Sequence, residues 1–249
     1  MRAIVLAAGR GRRLEPLTLT RPKPLLDVAG RPILAHILDS LARIGIRDVI
    51  VVVGHLGDQI AAYLDTRPAP RPRVVVQSSL GGNGDAVRAA REYLDGPLLV
   101  AFGDTILRGD LAPACRGDFA AIAVARVEDG RSYGIVETDR DGWVRRLWEK
   151  PAEPPSHDAV AGTFVFPEGR RLREALDETA AAGARGRDGE VWLTDIVQRM
   201  IDRGERVRTF RVEAFYDCGT LERLAEADRA LRAMDGARRG AGGPAPSTP

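Results

Sequence analysis

The loop that follows the first predicted strand combines glycines with cations. The apolar run at residues 3–8 leads into Gly9 and Gly11, and the cations Arg13 and Lys23 follow. Glycines allow backbone amides to approach an anion closely, and arginine or lysine neutralises its charge. These residues in this order indicate a phosphate-binding loop at the end of a strand. A tight turn without a ligand is the alternative, because a Gly-x-Gly pair is by itself a weak signal.

Two familiar phosphate-binding motifs do not fit this loop. Leu14 occupies the position of the third glycine in the dinucleotide-binding fingerprint. The sequence also contains no Gly-Lys-Ser/Thr, which excludes a P-loop. A phosphate would therefore have to be held by another arrangement of glycines and cations.

Residues 6–26, LAAGRGRRLEPLTLTRPKPLL, resemble the signature of the nucleotidyltransferase family that makes nucleotide sugars. That signature is roughly L-A-A-G-x-G-T/S-R-L-x-P-L-T, followed by P-K-P. The resemblance implies that Arg13 contacts the triphosphate and its pyrophosphate leaving group, and that Lys23 contacts the α-phosphate. Arg12 stands where the family usually has a small hydroxyl residue, so we expect altered loop detail rather than lost activity. The resemblance also assigns five residues to nucleotide binding: Leu6, Ala7, Ala8, Gly9 and Gly11.

Two aspartates are candidates for holding a metal ion. Asp104 follows the predicted strand Leu98–Phe102, and ligands bind beyond the carboxyl ends of strands in an open sheet. Its carboxylate could hold Mg²⁺, although a turn or helix cap is the alternative for a lone aspartate. Residues 216–220, Y-D-C-G-T, resemble the family's aromatic-x-Asp-x-Gly-Thr segment, whose aspartate is the second metal ligand. The resemblance therefore implies a Mg²⁺ site on Asp104 and Asp217, with Asp104 also beside the nucleotide.

A second group of segments resembles the part of the family that binds the sugar phosphate. The sequence W-E-K-P at residues 148–151 matches the family's Glu-Lys-Pro, and Y-G-I-V-E precedes it at residues 133–137. The resemblance implies that Lys150 binds the phosphate of the sugar and Glu149 its hydroxyl groups, with the Gly134 backbone nearby. Without the resemblance, a surface Glu-Lys pair before proline would carry no such meaning.

Two more residues belong to the predicted sugar pocket. Val160 lies on the family's sugar-pocket strand, at a position where asparagine is frequent. Valine there is a form associated with the glucose-1-phosphate thymidylyltransferase branch. Thr194 matches a segment close to the last strand and is expected to reach the sugar, with a place on a helix surface as the alternative.

The nucleobase is expected to bind at residues 77–87, Q-S-S-L-G-G-N-G-D-A-V. The side-chain amide of Gln77 can both donate and accept, so it can pair with the O4 and N3–H edge of uracil or thymine. Gly82 and its neighbouring glycines would let the backbone close on the base. Family members that use guanine often carry glutamate at the position of Gln77, which favours a pyrimidine nucleotide. The sequence assigns no role to Asn83 or Asp85.

The predicted reaction is transfer of a nucleotidyl group from a nucleoside triphosphate to a sugar 1-phosphate, with release of pyrophosphate. Phosphate monoesters are already nucleophilic at neutral pH, because their second pKa lies near ~6, so no general base is required. The favoured substrates are dTTP or UTP and a hexose 1-phosphate, with Mg²⁺ as cofactor. Alternatives are a GTP-dependent guanylyltransferase acting on a mannose, heptose or cyclitol phosphate, a choline-type phosphate as acceptor, and a catalytically silent nucleotide-sugar sensor.

An α/β fold is expected to position these residues. The predicted elements of the first half alternate: strand 3–8, helix 32–44, strand 49–53, helix 58–64, strand 74–76, helix 85–94 and strand 98–102. The second half is richer in strands, at 120–127, 134–138, 144–148, 160–166 and 207–212, with helices at 170–182, 191–203 and 221–233. This order predicts a Rossmann-like, mostly parallel mixed sheet flanked by helices, with a β-rich sugar-binding C-terminal half.

The domain prediction is one domain over residues 1–235. Residues up to about 115 would form the nucleotide-binding half, and residues 116–235 the sugar-binding half. Residues 236–249 are rich in glycine, alanine and proline and cannot build a core, which predicts a disordered tail.

Bulk properties exclude several classes of protein. The 37 basic and 35 acidic residues nearly cancel to a net charge of +2, so no nucleic-acid footprint is expected. No run approaches the ~20 apolar residues of a membrane span, and the first residues do not look like an export signal. Cys115 and Cys218 match no zinc or disulfide spacing, which favours a reducing cytoplasm. The sequence leaves the oligomeric state open, including a homo-oligomer.

Overall fold

A computed structural model describes residues 1–79, 81–186 and 189–241 of the chain. The strands within these residues are β1 (Arg2–Ala7), β2 (Asp27–Val28), β3 (Arg31–Pro32), β4 (Asp48–Val53), β5 (Arg73–Val76), β6 (Leu98–Phe102), β7 (Thr105–Arg108), β8 (Ala120–Arg126), β9 (Gly134–Thr138), β10 (Val144–Glu149), β11 (Asp158–Phe166), β12 (Val207–Arg211) and β13 (Ala214–Asp217). The α-helices are α1 (Ile33–Arg43), α2 (Gly57–Asp65), α3 (Asn83–Ala89), α4 (Ala112–Cys115), α5 (Gly169–Ala181), α6 (Leu193–Asp202) and α7 (Leu221–Ala241).

A nine-stranded mixed sheet forms the centre of the part of the chain that the structure describes. Strands β5, β4, β1 and β6 lie side by side in that order and run parallel. Strand β11 is antiparallel to β6, and beyond it the sheet divides into the β9–β10 hairpin and the β8–β12 pair. The predicted α/β fold, with a parallel first half and a strand-rich second half, is confirmed.

Both faces of this sheet are covered because its central strands are apolar on both sides. Every residue of β4 after Asp48 is buried, and β1 is buried over most of its length. Helices α1, α2 and α7 pack on one face, and α3, α5 and α6 pack on the other. Strands that are buried on both faces are continuous apolar runs in the sequence, which is why these strands were predictable.

The β9–β10 hairpin carries much of the predicted sugar-binding end. Its turn contains Gly142, whose φ of 80° favours glycine. The Asp139 carboxylate accepts hydrogen bonds from the backbone N–H groups of Asp141 and Trp143, at 3.0 and 2.9 Å, which stabilises the turn. The resulting register pairs Gly134 with Glu149 across the two strands.

Four short strands were not predicted, and two of them position the site. Strand β7 pairs with β13 in an antiparallel two-stranded sheet, with Thr105 opposite Asp217. Strands β2 and β3 form a second small sheet. Strands this short have no periodic pattern of their own, and β7 and β13 depend on a partner far along the chain.

Helix boundaries differ from the prediction by two or more residues in three helices. Helix α3 starts and ends earlier than predicted, and a 3-10 turn, Arg91–Tyr93, follows it. Helix α6 begins at Leu193 rather than at residue 191. Helix α7 continues through residues 236–241, which were predicted to belong to a tail, because alanine and arginine favour helix. Residues 242–249 of that predicted tail lie outside the described residues. None of the described helices is long and apolar enough to cross a membrane.

Candidate active site

A cleft of about 1100 Å³ lies along the carboxyl ends of the parallel strands β1 and β6. This edge is where ligands bind in open α/β sheets. The cleft extends from the loop after β1 to the β9–β10 hairpin and the start of α6. All residues that the sequence assigned to a site line this one cleft: Leu6, Ala7, Ala8, Gly9, Gly11, Arg13, Lys23, Gln77, Gly82, Asp104, Gly134, Glu149, Lys150, Val160, Thr194 and Asp217.

The loop after β1 is held in a fixed shape at the floor of the cleft. Gly11 has a φ of 67°, and a Cβ at this position would lie 2.9 Å from Cγ2 of Thr18, so glycine is required. The Thr18 hydroxyl donates to the Gly11 carbonyl at 2.9 Å, and the Leu14 amide donates to the same carbonyl at 2.8 Å. Leu14 is buried in the core and anchors the loop. Arg12 is exposed and also lines the cleft.

Lys23 and Asp104 form an ion pair at the base of the cleft. The Lys23 ammonium donates to Oδ2 of Asp104 at 2.5 Å, although Lys23 is only 7% exposed. The Thr105 hydroxyl donates to the other carboxylate oxygen at 3.0 Å. Burial opposes ionisation of Asp104, but the Lys23 charge and these hydrogen bonds hold its pKa below the usual value. Asp104 is therefore a carboxylate at neutral pH.

Asp217 lies beside Asp104 because of the unpredicted β7–β13 pair. Thr105, the residue after Asp104, is opposite Asp217 in this register. The Arg223 guanidinium, at the start of α7, donates to Oδ2 of Asp217 at 2.6 Å. A Cβ on Gly219 would lie 2.7 Å from Oδ1 of Asp217 and 2.9 Å from Nη2 of Arg13, so this glycine leaves room for both. Arg223 does not itself line the cleft, but it holds Asp217, and sequence reasoning missed this contact because nothing in the local pattern of Arg223 distinguishes it from other helix-surface arginines.

Three polar side chains meet at the hairpin end of the cleft. The Thr194 hydroxyl donates to Oε2 of Glu149 at 2.8 Å, and the Lys150 ammonium lies 3.4 Å from Oε1 of the same carboxylate. Burial raises the pKa of Glu149 above its usual value, although Thr194 and Lys150 both stabilise the charged form. A Cβ on Gly134 would lie 2.9 Å from Cγ2 of Thr194, so the bare backbone at Gly134 is part of this packing.

Lys150 is held over an aromatic ring. Its ammonium lies 3.6 Å from the centroid of the Trp192 ring, a distance at which the ring face attracts a cation. Its backbone has a φ of 43°, an uncommon value for a residue with a side chain, and its amide donates to the Tyr133 carbonyl at 3.1 Å. Trp192 lines the cleft and was not predicted as a site residue.

The segment around Gln77 connects the two ends of the cleft. The backbone amide of Gln77 donates to the Val53 carbonyl at 2.8 Å, which continues the β4–β5 ladder into the cleft. Gly84 donates to the Val191 carbonyl at 2.8 Å, and the Val191 amide donates to Gly81 at 2.7 Å. The Asn83 side chain accepts a hydrogen bond from the amide of Leu193, the first residue of α6, at 2.6 Å. Asn83, which had no role from sequence, therefore fastens the predicted base-binding loop to the helix that carries Thr194.

Cys218 is expected to be inert toward thiol reagents in the folded protein. It is fully buried, and burial together with the nearby charge of Asp104 raises its pKa to about 12. Because the thiolate is the reactive form, a disulfide reagent at pH 8 should label at most one thiol per folded chain, at the half-buried Cys115. Denaturation should expose the second. Labelling of Cys218 in the folded protein would contradict its full burial next to Asp104 and Asp217.

Comparison with known proteins agrees with this geometry. The family model described as "Nucleotidyl transferase" matches residues 2–233. The glucose-1-phosphate thymidylyltransferase of Streptomyces griseus is 33% identical, over 92% of this chain and 65% of that protein. The UTP–glucose-1-phosphate uridylyltransferase of Haloferax volcanii is 30% identical, over 93% of this chain and 97% of that protein.

A solved structure has the same fold. A UDP-glucose pyrophosphorylase crystallised with UDP-glucose superposes with a TM-score of 0.82, at 22% identity, and the match covers 94% of this chain and 98% of that one. Some curated relatives are longer, and the chain spans only 54–65% of their length. The family match nevertheless covers nearly the whole chain, including every residue assigned to the cleft. The chain therefore belongs to the nucleotidyl transferase family.

Proposed function

We propose that the chain transfers a nucleotidyl group from a nucleoside triphosphate to a sugar 1-phosphate, forming a nucleotide sugar and pyrophosphate. The observation that carries this proposal is the single cleft that holds both predicted halves of the reaction. The glycine loop with Arg13 and the Lys23–Asp104 pair occupies one end, and the Glu149–Lys150–Thr194 group occupies the other. The names of the relatives support the same reaction class. A silent sensor would not need all of these groups in one place.

The chemical problem in this reaction is electrostatic. The attacking phosphate needs no general base, because a phosphate monoester is largely dianionic at neutral pH. The protein has to bring two polyanions together and align them at the α-phosphorus. We assign stabilisation of the α-phosphate charge to Lys23, stabilisation of the departing pyrophosphate to Arg13, and binding of the attacking phosphate to Lys150. Preorganised cations at such positions act on charge as it develops in the transition state.

A Mg²⁺ ion fits the donor set at the base of the cleft. Asp104 and Asp217 offer carboxylate oxygens, which this ion prefers. Among the described residues no group of three or more His, Cys, Asp or Glu could hold a metal, so the remaining ligands would have to come from substrate phosphate and water. When bound, the ion supplies positive charge to the phosphates. Lys23, which pairs with Asp104 here and lines the cleft, would then be available to the phosphates as well.

The favoured substrates are dTTP or UTP and a hexose 1-phosphate. Gln77 lines the cleft beside Gly82, and its side-chain oxygen can accept a hydrogen bond from N3–H of uracil or thymine. At the other end, Glu149 and Thr194 offer hydrogen-bonding groups for sugar hydroxyls next to the cation that would hold the phosphate. The names of the thymidylyltransferase and uridylyltransferase relatives support this choice.

Replacing Lys150 with methionine should impair the sugar phosphate selectively. Methionine keeps most of the length of the side chain but removes the charge, so the KM for the sugar 1-phosphate should rise at least about tenfold. The KM for the nucleoside triphosphate should hardly change. Arg146→Met is the matched control, because Arg146 also lies over a tryptophan ring, that of Trp148, but does not line the cleft. If only the nucleotide KM rose in Lys150→Met, Lys150 would contact the nucleotide and not the sugar phosphate, which would contradict the proposed role.

A further inference from the structure

The side-chain amide of Gln77 is held from behind by a carboxylate that does not line the cleft. Nε2 of Gln77 donates to Oδ2 of Asp85 at 3.1 Å and lies 3.4 Å from the carbonyl oxygen of Gly82. Gln77 and Asp85 are each only 6% exposed. Gln77 lines the cleft, whereas Asp85 lies behind it in the first turn of α3.

The Asp85 carboxylate is itself fixed in one orientation. The Ser79 hydroxyl donates to Oδ2 at 2.9 Å, and the Arg88 guanidinium donates to Oδ1 through two nitrogens, at 3.1 and 2.5 Å. Burial opposes ionisation, but hydrogen bonds from Arg88, Gln77 and Ser79 together hold the pKa of Asp85 below its usual value. At neutral pH Asp85 is therefore an ionised carboxylate, which only accepts hydrogen bonds.

This arrangement determines which end of the Gln77 amide faces the cleft. Both the Asp85 carboxylate and the Gly82 carbonyl are acceptors, so the NH₂ group has to face them. No donor among the described residues hydrogen-bonds Oε1 of Gln77, and these residues contain no buried side-chain polar atom without a partner. Oε1 is therefore the free polar atom of this side chain.

We infer that Asp85 is a positioning residue that makes Gln77 present a hydrogen-bond acceptor to the nucleobase. This inference rests on the proposed function, in which Gln77 reads the base. A fixed acceptor selects a ring nitrogen that carries hydrogen, which is N3–H in uracil and thymine and N1–H in guanine. Cytosine and adenine have a lone pair at the corresponding nitrogen. This nitrogen and Oε1 would then be two acceptors facing each other, with no hydrogen between them. Asp85 thus contributes to base specificity without touching the nucleotide.

The Asp85→Asn variant tests this inference through base preference. Arg88 would keep the asparagine oxygen, which leaves its NH₂ group facing Gln77. Two donors would then meet, and the Gln77 amide is expected to turn over and present its own NH₂ group to the cleft. Binding of UTP, dTTP, GTP, CTP and ATP is measured by titration calorimetry. In the wild type, whichever of UTP, dTTP and GTP binds most tightly should bind at least about tenfold more tightly than CTP or ATP. In Asp85→Asn this ratio of affinities should shrink at least about tenfold.

A double variant separates orientation from mere structural support. Gln77→Glu alone places two carboxylates together and should weaken binding of every nucleotide. In Gln77→Glu/Asp85→Asn the amide and carboxylate have exchanged places, so the glutamate again presents an acceptor to the base. The wild-type base preference should return in this variant. Asp177→Asn is the matched control, because Asp177 also accepts two hydrogen bonds from an arginine, Arg91, but does not line the cleft.

The outcomes separate this inference from the proposed function. A wild type that prefers CTP or ATP and still forms a nucleotide sugar would overturn the inference and leave the proposed function standing. So would an Asp85→Asn protein with the wild-type ratio, or a double variant that regains no preference although its thermal melt is normal. A wild type that binds no nucleotide at all would overturn both.

Discussion

Replacing Asp217 with asparagine is expected to lower kcat by a factor of about 10²–10³ while the protein stays folded. Asparagine keeps the shape of the side chain and can still accept the hydrogen bond from Arg223. It removes the negative charge that, with Asp104, would hold Mg²⁺. Initial rates of pyrophosphate release at saturating substrate give kcat, and a thermal melt reports on the fold. Mn²⁺ affinity, measured in the absence of substrate, should fall as well.

Asp48→Asn provides the matched control for that change. Asp48 also pairs with arginines, Arg2 and Arg73, but it begins β4 and so lies at the opposite end of the strand from the cleft. This variant should keep both turnover and Mn²⁺ affinity. An Asp217→Asn enzyme with wild-type turnover would show that the reaction does not use two carboxylates in this cleft.

The second large effect is expected at Lys23. Lys23→Met removes the cation assigned to the α-phosphate, and kcat should fall by a factor of about 10²–10³ with a smaller change in the nucleotide KM. The variant also leaves Asp104 without its cation in a partly buried position, so some loss of stability should accompany the loss of rate. Stopped-assay rates and a thermal melt, taken on the same samples, measure the two effects.

A double variant separates rate from stability at this pair. In Lys23→Met/Asp104→Asn no charge is left without a partner, so the melting temperature should recover toward the wild-type value. Turnover should not recover, because both proposed functions of the pair are lost. Recovery of turnover together with stability would mean that Lys23 serves only to neutralise Asp104.

The parts of the site that were predictable from sequence are those with a local pattern. The run from residue 3 to Lys23 combines a continuous apolar strand with glycines and cations, so both the strand and the loop that lines the cleft could be predicted. Asp104 was predicted because it lies two residues after the end of a strand, and the carboxyl ends of parallel strands share one edge of the sheet. The family resemblance added the order of the remaining segments.

What could not be predicted depends on contacts between distant segments. The β7–β13 pair, which brings Asp217 next to Asp104, joins two four-residue strands with no periodic pattern. Arg223 and Trp192 have no distinguishing local sequence, and only folding brings them against Asp217 and Lys150. The extent of α7 was underestimated because a composition poor in apolar residues was interpreted as a tail, although alanine and arginine favour helix.

Pyrophosphate release decides whether the cleft is an enzyme active site. The purified protein with Mg²⁺ would be tested with dTTP, UTP, GTP, CTP and ATP, each against a panel of sugar 1-phosphates. We predict strong release with dTTP or UTP and a hexose 1-phosphate, and none when either substrate is omitted. Release with GTP alone would leave the reaction class intact but contradict the pyrimidine preference. Folded protein that binds a nucleotide but releases no pyrophosphate with any pair would contradict the proposed activity.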